Sequence, residues 1–152
     1  MNKHIQIPVE IEVVKRLDHV VLLFLFHRDA VHDWVLSLSL LKEGLIDVLV
    51  VTEDRRRRSA KIRLQDCQKK VGERVLISLK ADKIQIELTR NSLDFMQHFF
   101  LKYYRDGIAE VEHLDLQAID ADTGNRELYF TLKVPDFAPP VSPEEAERLL
   151  RD

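Results

Sequence analysis

Residues 74–107 read RVLISLKADKIQIELTRNSLDFMQHFFLKYYRDG, and the stretch changes its period halfway along. Val75, Ile77 and Leu79 alternate with their neighbours, and Ile84, Ile86 and Leu88 do the same beyond Ala81-Asp82-Lys83. Period 2 on both sides of a short break predicts a β-hairpin. From Ser92 to Asp106 the apolar residues are Leu93, Phe95, Met96, Phe99, Phe100, Leu101, Tyr103 and Tyr104. At helical spacing these cover roughly half of the wheel, and Asp94, His98, Lys102 and Arg105 share the other side. Asn91 or Ser92 can cap the start, and Gly107 stands where a left-handed C-terminal glycine belongs. Met96, Phe100 and Tyr103 lie at the centre of the apolar arc and are expected to be buried against a sheet.

Downstream, Val111–Ile119 and Leu128–Val134 predict a second hairpin around the turn-rich stretch Asp120 to Asn125. Pro135 ends it, and Ala138-Pro139-Pro140 reads as a stiff connector. Ser142-Pro143-Glu144-Glu145 then starts a short helix with an N-cap serine, a proline at the first helical position and a glutamate at the third. Upstream, Ile5 to Val13 alternates cleanly, and Pro8, which cannot donate a ladder hydrogen bond, marks an edge strand. Val20–Phe26, Trp34–Leu41, Val48–Thr52 and Lys61–Leu64 complete a set of five predicted strands. The expectation is an α+β fold. It has a mainly antiparallel sheet, sandwich-like or curled, with one long amphipathic helix between two hairpins and a short C-terminal helix. Short connections argue against parallel crossovers. Residues 1–137 are expected to form one domain, with residues 138–152 as a Pro-linked helical tail. No internal repeat is visible. One helix between strands is similar, in topology alone, to some small bacterial immunity proteins, and no motif extends the likeness.

Composition bounds the function. Cys67 is the only cysteine, so the chain cannot bridge itself with a disulfide, and a cytoplasmic, reducing setting is expected. The longest apolar run, Val20 to Phe26, is too short to span a bilayer as a helix. Only Gly44, Gly72, Gly107 and Gly124 occur, so neither a phosphate-binding loop nor a dinucleotide fingerprint can be assembled. There is no nucleophile elbow and no zinc spacing.

Candidate chemistry is sparse. His27, Asp29 and His32 are the candidate metal ligands, since two imidazoles and a carboxylate can hold a divalent ion if they converge. Arg28 opposes a cation there, and a polar surface connection is the preferred reading. His113 and Asp115 share a strand face and could exchange a proton, but the wet side of a half-buried strand explains them as well. His98 sits between Asp94 and Lys102 as part of an ordinary helix-surface ladder. Cys67 lies near Arg63, Lys69 and Lys70, which favour a thiolate, but no base is aligned with it. No cofactor is expected.

Arg55-Arg56-Arg57-Arg58 is the least ordinary feature. Residues 53–74 hold nine Lys or Arg against four Asp or Glu, whereas residues 106–152 hold four against twelve. Four consecutive arginines cannot share one strand face, so a solvated loop tip is expected, with Lys61 and Arg63 extending the basic surface. Guanidinium forks suit phosphate, but no aromatic side chain is interleaved between Glu53 and Arg74 for bases to stack on. The leading expectation is therefore a non-catalytic protein-binding or assembly module. Its segregated basic and acidic surfaces would meet another protein or a second copy of the chain. A nucleic-acid-binding accessory role through Arg55–Arg58 stands second, and a metal-assisted enzyme using His27 and His32 third.

Overall fold

The computed structural model describes residues 6–53, 55–65, 74–80, 83–122, 127–136 and 143–151. Among the described residues nine strands form one sheet: β1 (Gln6–Pro8), β2 (Glu10–Lys15), β3 (His19–Leu25), β4 (Leu49–Glu53), β5 (Arg58–Leu64), β6 (Val75–Lys80), β7 (Lys83–Leu88), β8 (His113–Asp120) and β9 (Glu127–Lys133). Three α-helices accompany them in the same described residues: α1 (Val31–Lys42), α2 (Arg90–Asp106) and α3 (Pro143–Arg151). The strand order is β1-β4-β5-β7-β6-β8-β9-β3-β2.

The sheet is mixed, not mainly antiparallel. The consecutive pairs β2–β3, β4–β5, β6–β7 and β8–β9 are antiparallel hairpins. The pairs β1–β4, β3–β9, β5–β7 and β6–β8 are parallel. Short connections do forbid a direct parallel crossover. Here, however, whole hairpins and helices serve as the crossovers, so neighbouring hairpins lie side by side in parallel.

A second correction concerns Trp34–Leu41, expected as a strand and found as α1. Leucines at 36, 38 and 40 alternate with serines, which mimics period 2. The buried set is Val31, Trp34, Val35, Leu38 and Leu41, which is helical spacing, while Leu36 is half exposed. The serines fit a helix because their hydroxyls donate to carbonyls one turn back, Ser37 to Asp33 and Ser39 to Val35. With α1 present, the single-helix likeness to immunity proteins lapses.

The topology repeats. The series β2–β3–α1–β4–β5 matches β6–β7–α2–β8–β9, and every pairing in one has its counterpart in the other. The parallel pair β1–β4 answers β6–β8, because β1 runs directly into β2, and β3–β9 answers β7–β5. The two helices lie antiparallel, as Lys42 Nζ is 2.8 Å from Asp94, Gln97 donates to Ser39 at 2.7 Å, and the His32 and Tyr104 rings are 5.6 Å apart.

Helix α2 bears out the expected packing, since Met96, Phe100 and Tyr103 are buried. Its cap is Thr89, two or three residues earlier than expected, whose hydroxyl accepts from the Ser92 N–H. Gly107 ends it in the left-handed conformation, φ 74°, donating its N–H to Tyr103. The core between helices and sheet is an aromatic cluster. Phe26 touches both Trp34 and Phe100 edgewise or tilted, and Phe24 meets Phe130. Every side chain described in α3 is exposed. The capping residue Ser142 and the tip residues Ala81 and Asp82 lie outside the described residues.

Candidate functional site

The sheet closes almost into a barrel, and its seam organises the candidate site. Strands β1 and β2 occupy opposite ends of the strand order yet are separated only by Val9. The chain therefore leaves β4 after one residue and crosses to β3. Val9 donates its N–H to the Thr52 carbonyl at 3.0 Å. The next inward N–H of the seam, that of Ile11, has no strand carbonyl to meet. The Glu53 carboxylate accepts it instead, from a side chain that is 7% exposed. Glu53 thus continues the ladder where backbone pairing stops.

The hairpin between β4 and β5 rises beside this seam. Arg55, Arg56 and Arg57 are all exposed on it. Arg57 adopts the left-handed conformation, φ 51°, which a non-glycine residue takes only at a cost of about 1–2 kcal/mol. This reverses the chain and starts β5 with Arg58 in phase with buried Ala60 and Ile62. Arg58 therefore leaves the tip and turns toward the interior, half-buried. Lys61 and Arg63 point the other way, onto the outer face of the sheet. The expected six-residue basic surface is thus three separate groups.

A pocket of about 230 Å³ lies along the seam, walled by Glu10, Glu12, His27, Glu53, Arg55 and Arg56 among others. His27 Nε2 is 3.9 Å from Glu10, and Arg56 Nε is 4.0 Å from Glu53. The pocket alternates in charge. It holds two guanidiniums, one imidazole and three carboxylates, and so suits a surface of both signs better than a uniform polyanion.

The remaining candidates are dispersed. The connection expected around His27–Asp33 is a one-turn 3₁₀ helix (Arg28–Ala30) leading into α1. This turns His27 toward Glu10, while His32 lies 3.2 Å from Asp33 on the helix face near Tyr104. Among the described residues no three His, Cys, Asp or Glu side chains gather as metal ligands. His113 Nε2 is 3.2 Å from Asp115, both on the wet face of β8, and Asp115 also accepts from Thr131 at 2.6 Å. Cys67 lies outside the described residues.

Arg28 has a structural post. It donates to the Gly107 carbonyl at 2.6 Å and lies 3.1 Å from Asp136, tying the end of α2 to the strand end after β9. Tyr103 donates to the same Asp136 at 2.9 Å. Burial first, and then this carboxylate acceptor, push the Tyr103 phenol above its ordinary value.

Sequence reasoning missed Glu53 and Arg58 as inward residues. The signal was present, because Glu53 continues the phase of Leu49 and Val51, and Arg58 that of Ala60 and Ile62. Among the described residues no helix is long and apolar enough to cross a membrane. Compared with protein-family models and with curated proteins, the sequence matches none.

Proposed function

We propose that the protein is a non-catalytic binding module that recognises another protein through the tip of the β4–β5 hairpin. The observation that carries this reading is the company the arginines keep. Arg55, Arg56 and Arg57 are exposed together, and the pocket they border is walled by Glu10, Glu12 and Glu53. A phosphate backbone laid on the guanidiniums would meet these carboxylates, whereas a protein surface can place acidic groups on one side and basic groups on the other. Carboxylates on the partner would pair with the guanidinium forks, which favour planar, two-pronged acceptors. Such contacts set association rate and register more than affinity.

The acidic C-terminal third supplies one such surface within a second copy of the chain. Glu144 and Glu147 stand exposed on α3. A contact of hairpin tip with acidic helix joins two different patches and so is heterologous.

The test replaces Arg55 and Arg56 by serine and Arg57 by asparagine, which tolerates the left-handed conformation, and leaves Arg58 in place. Folding should be unchanged. Affinity capture from the native cell extract should lose a specific protein partner, and sedimentation at low and high salt should show whether self-association goes with it. Exposed pairs are screened beyond about 10 Å at 0.1 M salt, so the difference should be largest at low salt. Loss of RNA or duplex DNA binding with partner capture intact would replace this reading by nucleic-acid recognition. No change in either would remove the tip from function.

A further inference from the structure

The opposite face of the same hairpin leads to a second site. The strand ends that run into the four hairpin turns surround one open end of the barrel, where Lys15 ends β2, Arg58 opens β5 and Asp120 ends β8, and where Val20, Leu79 and Ile84 each stand one residue inside an end of β3, β6 and β7. Together they line a cavity of about 360 Å³. That volume is within the usual range for small-ligand pockets, roughly 300–1,000 Å³. Val20 and Ile84 are buried and Leu79 half-buried, so one side of the cavity is apolar.

Arg58 supplies the other side, and it is incompletely satisfied. Its Nη1 is buried and has no hydrogen-bond partner. Only one other buried side-chain polar atom among the described residues shares this condition, the Trp34 Nε1. That indole sits in the closed core between Phe26 and Phe100 at 4.8 and 5.9 Å, where nothing can approach. Arg58 instead faces a cavity open to solvent. A buried guanidinium N–H left without an acceptor is costly, since buried polar groups are ordinarily paired.

None of the described carboxylates nearby pairs with Arg58. Asp120, 8% exposed, accepts from the Asp122 N–H at 2.9 Å, and no ion pair joins it to Arg58 among the described residues. Asp122 itself accepts from Ser78 and lies 3.8 Å from Lys80. Glu53, the cross-strand neighbour of Arg58, is turned into the seam by Ile11. Among the described residues the charged groups lining the cavity are Arg58, Lys15 and Asp120, a balance of one positive charge. One negative charge fits that balance. A phosphate monoester, carrying close to two, would face Asp120 with its second.

We propose that the open end of the barrel binds a small monocarboxylate with an apolar body. The head group pairs with Arg58, and the body lies against Val20, Leu79 and Ile84. This site is independent of the hairpin-tip reading, because Arg58 points away from Arg55–Arg57.

Titration calorimetry with decanoate, decanol and octyl phosphate tests it on the full chain. Decanoate should bind one to one and at least tenfold tighter than decanol. Arg58→Met should remove that preference while leaving the melting temperature equal or higher, because the buried, unpartnered Nη1 is gone. Leu79→Trp, which fills the cavity without touching the charge, should weaken decanoate and decanol alike. Absence of saturable decanoate binding overturns the proposal, as does a decanoate preference that survives Arg58→Met. Tighter, Arg58-dependent binding of octyl phosphate overturns the assignment of a carboxylate head group.

Discussion

Glu53 and Arg58 are directly opposed across the β4–β5 pairing, and each occupies an inward position that alternation would give to an apolar residue. Their fates differ because of what lies within reach. Glu53 finds the Ile11 N–H, a donor stranded where the chain changes neighbours. Arg58 finds an opening instead. Glu53→Gln should therefore be mild, since the amide oxygen can still accept. Glu53→Ala strands a buried N–H and should cost about 1–3 kcal/mol in chemical denaturation. Equal costs for the two would mean that the carboxylate is not a ladder substitute. Both residues are legible by phase, but the run of four arginines reads as a solvated loop tip, and there charge outweighs periodicity. What no phase could give was the orphan at Ile11, which arises from a register change at Val9 and pairing with a strand some forty residues away.

Among the elements, α2 was legible apart from its cap and α1 was not, and the reason lies in their side chains. Helix α2 carries large apolar residues at helical spacing with charges between them. Helix α1 separates its leucines with serines, which are small enough to be buried beside apolar neighbours, as Ser37 is. Serine thus blurs the contrast on which period assignment depends. The two helices meet through Phe100 and Trp34, with Phe26 on the sheet side. Phe100→Ala should cost roughly 3–5 kcal/mol by leaving a cavity between two helices and a sheet. Denaturant midpoints measure it. A cost below about 1 kcal/mol would mean that the surrounding rings collapse into the space, against the usual behaviour of dense cores.

At the scale of the molecule, the hairpins β6–β7 and β8–β9 could be read from the sequence but the lateral order of the sheet could not. Each hairpin is fixed by neighbours in the chain, whereas the parallel pairs join distant segments, as when His19 pairs with Glu127 or Ser59 with Lys83. No local pattern encodes such partners. The repeat was hidden for the same reason, since it lives in the pairings and not in matched residues. Its arrangement carries a consequence for how the chain can be cut. β3 lies beside β9 and β5 beside β7, so each five-element series offers two unpaired edges that only the other covers. Cleavage between Gln65 and Arg74 would leave two fragments, neither able to satisfy its own edge strands. Expressed separately, they should remain unfolded or aggregate. Mixed, they should reconstitute the native circular dichroism and the burial of Trp34, with a one-to-one stoichiometry. Independent folding of either fragment would show that the two series are self-sufficient modules and that the shared sheet is only their docking.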